Sequence, residues 1–408
     1  MVTLKTLFAC AVDAADPALR LPSYLPHQPT GRTIVLGAGK AAARMAQVFE
    51  QTASHPYSGL VVGPADESIE LNQIEYLAGS HPIPSQHSVA AGQALLERAA
   101  QASPQDQVIF LLSGGASALI ATPPDGIELS ELQEITRLML NGGANIAQLN
   151  AVRRCISAVA GGRLAAVCAA PVLTLAISDV TGDVPCDIGS GPTCQNPTTP
   201  AQVIALLNQF EIPISNALAE FLASPQAHPT ITPGPFELIA TPQQSLAAAQ
   251  QMAEQRGLNV LNLGGFIEGD ANETAKVLGG IAQQIAAYDS PVAKPAVILS
   301  GGETSVRVTG NGQGGRNVQF LMSLAKVLAS QSGISALACD TDGVDGALPI
   351  AGAVIDSTTL DRAQAMGYPV DLAIANNDGH RWFEQLGDQV VTGPTQTNVN
   401  DFRAILIQ

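Results

Sequence analysis

Charge is scarce in this chain: 13% of its 408 residues are Asp, Glu, Lys or Arg, against about a quarter in an average soluble protein. Lys and Arg number 19 against 35 Asp and Glu, giving a formal net charge of −16 with no basic cluster. Neutralising nucleic-acid phosphates needs a basic face, so nucleic acid is excluded as a partner. The six cysteines, at positions 10, 155, 168, 186, 194 and 339, include no Cys-x-x-Cys pair, and the six histidines include no His-Glu-x-x-His. A structural zinc is thereby excluded, and a reducing cytoplasm is the expected setting. No apolar run approaches the 18 or so residues of a membrane span, so no membrane partner is expected. Near the start, Asp13 and Asp16 end a short apolar run, which predicts an amphipathic helix and not a signal peptide. No Walker A sequence and no kinase His-Arg-Asp signature occur, so a nucleotide would need another arrangement.

What is present is apolar and glycine-rich, with 46% hydrophobic residues and 38 glycines. That composition suits α/β domains with buried parallel strands, and the length predicts two of them. The organising stretch is Val108-Ile-Phe-Leu-Leu112, a strand buried on both faces, breaking into Ser113-Gly114-Gly115-Ala-Ser117. Glycines there allow backbone N–H groups to turn toward an anion, and a helix starting near Ser117 would add its N-terminus. The design recurs as Ala296-Val-Ile-Leu followed by Ser300-Gly301-Gly302-Glu303-Thr304, which predicts a second cradle.

Upstream, Arg32-Thr-Ile-Val-Leu36 leads through Gly37-Ala-Gly39-Lys40 into an Ala-rich helix. Strand, glycine turn and helix make the first half of a βαβ unit, and Gly37-x-Gly39-x-x-Ala42 meets the loose dinucleotide fingerprint. Lys40 opposes the helix dipole unless a bound anion neutralises it. Asn150, Arg153, Ser157 and Gly161 are spaced to share one helical face, an anion-binding stripe. Asp179 and Asp183 follow the strand Pro171–Ser178, and Asp340, Asp342 and Asp345 crowd a second strand end. Four prolines between Ala223 and Phe236 mark the domain boundary.

Read in order, these blocks resemble the class II glycerate 2-kinases, whose C-terminal part is called the MOFRL domain. The blocks are Gly37–Lys40, Gly79-Ser-His-Pro-Ile-Pro84, Ser113–Ser117, Asn150-Ala-Val-Arg-Arg154 and Gly161-Gly-Arg163. They continue with Ser178–Asp183, Ser190-Gly-Pro-Thr193, Ser300–Thr304, Gly314-Gly315-Arg316-Asn317, Asp342–Gly346 and Gly393-Pro-Thr395 through Asp401. The resemblance implies a Rossmann-like parallel-sheet N-terminal domain at 1–230 and a smaller α/β domain at 231–408, with the active site in the cleft between them. It implies ATP-dependent phosphorylation of the 2-hydroxyl of D-glycerate with a divalent metal, and it makes Lys40 and Arg316 the expected essential residues. Ala160 and Cys155-Ile156 depart from the family's more usual Lys and His-Leu.

Phosphoryl transfer needs positioning and charge neutralisation more than covalent chemistry. The expected catalytic residues are therefore Lys40, Arg316, Asp179 and Asp342. Ser113, Gly114, Gly115, Ser117, Asn150, Arg153 and His81 are expected on the substrate. The nucleotide is expected on Gly37, Gly39, Ser300, Gly301, Gly302, Glu303, Gly314, Gly315 and Asn317. Mg2+ takes one or two carboxylates plus phosphate oxygens, with Asp183, Asp340 and Asp345 the candidates. Each has a structural alternative: loop aspartates cap helices, and His81 can simply shape its turn. The fingerprint also admits an NAD(P)H-dependent hydroxypyruvate reductase, and a non-catalytic binding protein is the third reading. Nothing in the composition excludes a homodimer.

Overall fold

The computed structural model describes residues 3–26, 31–232 and 234–408, the Ile146 side chain excepted. The chain forms two compact units, Arg20–Ile239 and the segment up to Leu19 joined with Ala240–Gln408. Among the described residues no helix is long and apolar enough to cross a membrane.

The first unit holds a six-stranded sheet of β1 (Thr33–Ala38), β2 (Tyr57–Pro64), β3 (Ile74–Gly79), β4 (Gln107–Leu112), β5 (Val172–Ile177) and β6 (Phe236–Ala240). Its order is β3-β2-β1-β4-β5-β6, and the pairings among β1 to β5 are parallel. Every residue of β1 is buried, as expected of a strand covered by helices on both faces. This is the doubly wound order, and the strand sequence reverses direction between β1 and β4, where such sheets bind ligands. The helix Gln86–Ala100 begins at Ser85, whose side chain caps it in a capping box with Ser88. A satellite core of Leu132, Ile135, Met139, Leu149, Val152, Val203 and Leu207 joins the helices of residues 129–223.

The second unit is built on β7 (Asn259–Asn262), β9 (Ala296–Ser300), β11 (Ile334–Asp340), β12 (Gly352–Ile355), β13 (Gln389–Val390) and β14 (Asp401–Ile407), with β8 (Gly269–Asp270) and β10 (Thr304–Ser305) forming a small parallel pair. The large sheet runs β13-β12-β11-β14-β9-β7; only β7 and β9 pair in parallel. Its strands alternate between two cores, as the period of two demands. Ile298, Ala336, Ala338, Ile405 and Ile407 face the helices Ala271–Tyr288 and Arg316–Leu328. Val297, Leu299, Leu337, Cys339 and Phe402 face the opposite way.

The units depart from the expected division at residue 230 at both ends. Phe236–Ala240 is the sixth strand of the first sheet and does not open the second domain; Thr174 N–H donates to the Pro235 carbonyl at 2.9 Å beside it. The N-terminal helix Leu4–Asp13 belongs with the second unit. Its Leu4, Leu7, Phe8 and Ala11 form a stripe that needs an apolar partner, and the outer face of β11 and β14 supplies it. Phe8 meets Phe402 with ring centroids 5.9 Å apart. Ser245 Oγ donates to the Ala11 carbonyl at 2.7 Å, and Thr397 Oγ1 to that of Ala15 at 2.8 Å.

Phe8→Ala is expected to destabilise this unit by about 3 kcal/mol. Native-state hydrogen exchange checks it: protection should fall in Pro242–Gln255 and β14 while β1 to β5 keep theirs.

Candidate active site

At the reversal point two loop ends interlock. Gly37 lies inside β1, where an added Cβ would sit 2.6 Å from the Leu111 carbonyl oxygen. Gly39, at φ +136°, leaves room for Ser113, whose Oγ a Cβ would approach to 2.1 Å. The closeness lets Ser113 Oγ accept from Ala41 N–H at 3.0 Å and Lys40 N–H donate to the Gly114 carbonyl at 2.9 Å. Gly37, Gly39, Ser113 and Gly114 are thus spent on the protein's own packing, where the sequence pattern had put them on ligands. Lys40 stands two residues before the helix Ala42–Thr52.

The part of the loop open to a ligand starts at Gly115. This residue has φ +81°, and a Cβ there would lie 3.2 Å from His81 Cδ2 and 3.3 Å from Lys40 Cγ. Gly115, Lys40 and His81 therefore share one small space. Ser117 Oγ is 2.8 Å from Ser190 Oγ, which ties the loop to the residues that follow β5. The helix after Gly115 is only Ala116–Leu119, so the expected helix dipole is one turn long and adds little.

The expected polar stripe is shorter than its spacing implied. The helix Ile146–Cys155 ends before Ser157, and Ser157 Oγ instead accepts from the Val159 and Ala160 amides. Asn150 and Arg153 remain on one face. Arg154 is fastened to Asp187 and Asn196, and Arg163 to the carbonyls of Arg154, Ala160, Cys155, Gln226 and Ala227. Arg153 has no hydrogen-bond or ion-pair partner among the described residues, and burial pushes its pKa down. Asp179 stands just past β5, half-buried. Asp183 adopts φ 54°, and its Oδ1 is buried without a hydrogen-bond partner among the described residues.

In the second unit the repeated Ser-Gly-Gly is closed. Gly301 N–H donates to the Gly264 carbonyl at 2.9 Å, and a Cβ on Gly302 would lie 2.2 Å from the Ile267 oxygen. The Gly301 carbonyl accepts from Arg403 Nη1 at 2.8 Å. No cradle opens at Ser300, Gly301 or Gly302, contrary to the expectation from the repeat. Arg316 is held by three carboxylates: Asp401 Oδ1 at 2.8 Å, Glu303 Oε1 at 2.9 Å and Asp340 Oδ2 at 2.7 Å. Burial works to lower its pKa, and Asp401, Asp340 and Glu303 outweigh that and raise it.

Two of the three carboxylates expected on a metal, Asp340 and Asp345, have other duties. Asp345 is fully buried and caps the helix Arg316–Leu328, accepting from the Asn317 and Val318 amides at 3.0 Å each. Gly315 is closed against the same carboxylate, since a Cβ would lie 2.2 Å from its Cγ. Asn317 is buried and donates to Asp401 Oδ1 at 2.8 Å, so it faces the interior and not a nucleotide. Asp340 Oδ1 accepts from the Asp342 amide, and Asp342 Oδ1 from that of Val344. Among the described residues no group of three or more His, Cys, Asp or Glu is arranged to hold a metal ion.

Sequence reasoning missed what holds the loop before Arg316. Asn376 Oδ1 accepts from Asn311 N–H, Asn377 Oδ1 from Thr309 and Gly310, and Asp378 Oδ1 from Gln313. Asn377 sits at φ 52°, so Asn-Asn-Asp was a legible turn signal. A cavity of ≈ 250 Å³ opens between this loop, Thr304 and Gln319.

A doubly wound unit with a lysine at its reversal point, joined to a mixed-sheet unit with a half-buried arginine–carboxylate knot, defines a two-unit α/β enzyme. Residues 3–223 match the family described as a domain of unknown function, DUF4147, and residues 296–401 match the MOFRL family. A D-glycerate 2-kinase of Thermotoga maritima is 32% identical, the match covering 96% of this chain and 94% of that protein. A glycerate kinase structure from Thermotoga maritima superposes with a TM-score of 0.90 at 31% identity, covering 98% of both chains. An Agrobacterium vitis protein called a putative hydroxypyruvate reductase is 40% identical, covering 99% of this chain and 94% of its own. The chain belongs to the class II glycerate 2-kinase family, with its DUF4147 and MOFRL parts in that order.

Burial holds the Asp345 carboxyl above its ordinary value, outweighing the two amides that favour the ionised form. A raised native pKa makes the group's contribution full below the unfolded value of about 3.9 and lost as pH rises through the native value. Asp345→Asn should remove that slope, so the wild type's Tm advantage over the variant should narrow from about pH 4 to neutral. A constant difference across that range would refute the raised value.

Proposed function

We propose that the chain transfers the γ-phosphoryl group of ATP to the 2-hydroxyl of D-glycerate, giving 2-phosphoglycerate and ADP. The observation that carries this reading is Lys40, whose amide bonds to the Gly114 carbonyl, whose neighbour Ala41 is held by Ser113 Oγ, and whose side chain borders Gly115 beside His81. A fixed cation at the reversal point of a doubly wound sheet is what a migrating phosphoryl group requires. The relatives named D-glycerate 2-kinase and glycerate kinase supply the acceptor.

Arg153 is the guanidinium suited to the glycerate carboxylate, since no side chain of the described residues competes for it, and a guanidinium grips a carboxylate with two parallel bonds. Asn150, one turn away, can orient a hydroxyl. The 2-hydroxyl oxygen bonds to the γ-phosphorus as the bond from that phosphorus to the bridging oxygen breaks, and Asp179 takes the hydroxyl proton. Asp183 fits a magnesium ion, because its buried Oδ1 has no donor and a hard cation takes such an oxygen together with phosphate oxygens. When bound, Mg2+ offsets the negative charge of the triphosphate. Arg316 serves as a positioning residue, gathering Glu303, Asp340 and Asp401. The six free cysteines suit a reducing compartment, and we place the enzyme in the cytoplasm.

The reductase name of two relatives finds less support. A dinucleotide fingerprint needs its helix-entry amides for a pyrophosphate. Here the Lys40 amide is bonded to Gly114 and the Ala41 amide to Ser113.

Phosphorus NMR of the protein with D-glycerate, ATP and magnesium should show ADP and 2-phosphoglycerate. Lys40→Ala should lower kcat by on the order of 10²–10³, and Arg153→Ala should raise KM for glycerate by about tenfold with KM for ATP unchanged. No transfer by the wild type, together with NADH oxidation by hydroxypyruvate, would replace this reading with the reductase.

A further inference from the structure

The first unit holds a run of left-handed backbone beside the Gly115 loop. Gly189, Ser190 and Gly191 take φ of 56°, 61° and 57° in succession. Glycine adopts that region freely, but a serine there crowds its Cβ against the following carbonyl. Such a conformation persists only where the surroundings over-determine it, and here they do. The Ser190 carbonyl accepts from Gly161 N–H at 3.0 Å, and the Gly191 carbonyl from Gly162 N–H at 2.8 Å. Gly189 lies on the Gly115 loop itself, where an added Cβ would come within 2.7 Å of Leu112 Cδ1 and 2.9 Å of Ala116 Cβ. Asp187, at the head of the segment, is ion-paired to Arg154, the chain neighbour of Arg153.

What this backbone delivers is a hydroxyl. Ser190 is 5% exposed, and its Oγ stands 2.8 Å from Ser117 Oγ, its hydrogen-bond partner among the described residues. The two serines are unequal. Ser117 is half-buried and can turn its proton to solvent or to a ligand. A Ser190 proton not given to Ser117 would be buried without an acceptor, which is the costlier arrangement. Ser190 therefore donates and Ser117 accepts, leaving the Ser117 O–H to point away from Ser190. Ser117 stands two residues past Gly115, in the loop that Lys40 and His81 border. A donor there suits an anionic oxygen, and a hydroxyl of fixed direction loses less freedom on meeting one than a rotating hydroxyl does.

We propose that Ser190 is a positioning residue: held left-handed by its neighbours, it donates to Ser117 Oγ and so aims the Ser117 O–H at an anionic oxygen of the substrate. That this substrate is D-glycerate rests on the kinase reading; the pairing of the two serines does not.

The variants Ser190→Ala, Ser190→Gly, Ser117→Ala and the double change Ser117→Ala/Ser190→Gly are compared with the wild type by kcat/KM for the acid and by Tm. Both Ser190 variants lose the hydroxyl, but glycine also relieves the left-handed backbone. Ser190→Gly should therefore melt above Ser190→Ala, while both lose kcat/KM by the same amount, on the order of tenfold. A merely structural role would make activity follow Tm. The double variant should lose no more than Ser117→Ala alone, because Ser190 acts through Ser117. Wild-type kcat/KM in Ser190→Gly, or losses that multiply in the double variant, would overturn the inference. The kinase reading is decided by the wild type alone. Should it reduce hydroxypyruvate with NADH and phosphorylate no glycerate, that reading fails, and the same comparison made with hydroxypyruvate, which also presents a carboxylate, decides the role of Ser190.

Discussion

The close crossing of the β1 and β4 loops is the constraint on which the first unit's chemistry depends. Two parallel strands at adjacent positions deliver their carboxyl ends side by side, and Gly37 and Gly39 remove the Cβ atoms that would keep those ends apart. Ser113 then becomes the cap for Ala41, and Gly114 the acceptor for Lys40. A lysine on a loose loop would lose rotamer and backbone freedom on meeting an anion; here the backbone share is settled during folding. The same crossing sets Gly115 against both Lys40 and His81, so one glycine without a side chain decides how near two polar side chains stand.

In the second unit the comparable constraint is electrostatic. Asp340, Asp345 and Asp401 are nearly fully buried, and Arg316, Arg403 and Asn317 answer them. Desolvating that many carboxylates is expensive unless each oxygen is met. Asp345 is met by helix-terminal amides, which also begin the helix Arg316–Leu328 at the place that brings Arg316 to the other two. The helix cap and the ion network are therefore one structure, and removing any member leaves a neighbour buried and unpaired.

The fold was largely legible because its signals are local. Val108–Leu112 and Ala296–Leu299 are apolar runs too short for helices, and glycine punctuates both. Lys40 stood out in the sequence because a cation at a helix entry opposes the dipole, and the fold sets it beside Gly115 and His81. What could not be read was long-range. Nothing in Leu4–Asp13 says that its apolar stripe lies on a strand near residue 402. Nor does the spacing of Asp345 tell a metal ligand from a helix cap: both want an unpaired carboxylate beside a glycine turn, and only the position of the Asn317 and Val318 amides decides.

The two Ser-Gly-Gly segments carry this furthest, since they are alike in sequence and differently surrounded. Each follows a buried strand, so the residues themselves predict two cradles. In the first, the space a Cβ would fill at Gly115 is bordered by a lysine and a histidine, which can meet a ligand. In the second, the space at Gly302 is taken by the backbone of Ile267, and the Gly301 carbonyl is taken by Arg403. A missing side chain admits whatever lies nearest, and a neighbouring backbone lies nearer than any solute once the chain has folded. Glycine motifs therefore mark close approach, and whether a ligand or the protein makes that approach depends on which segment the topology lays beside the strand end.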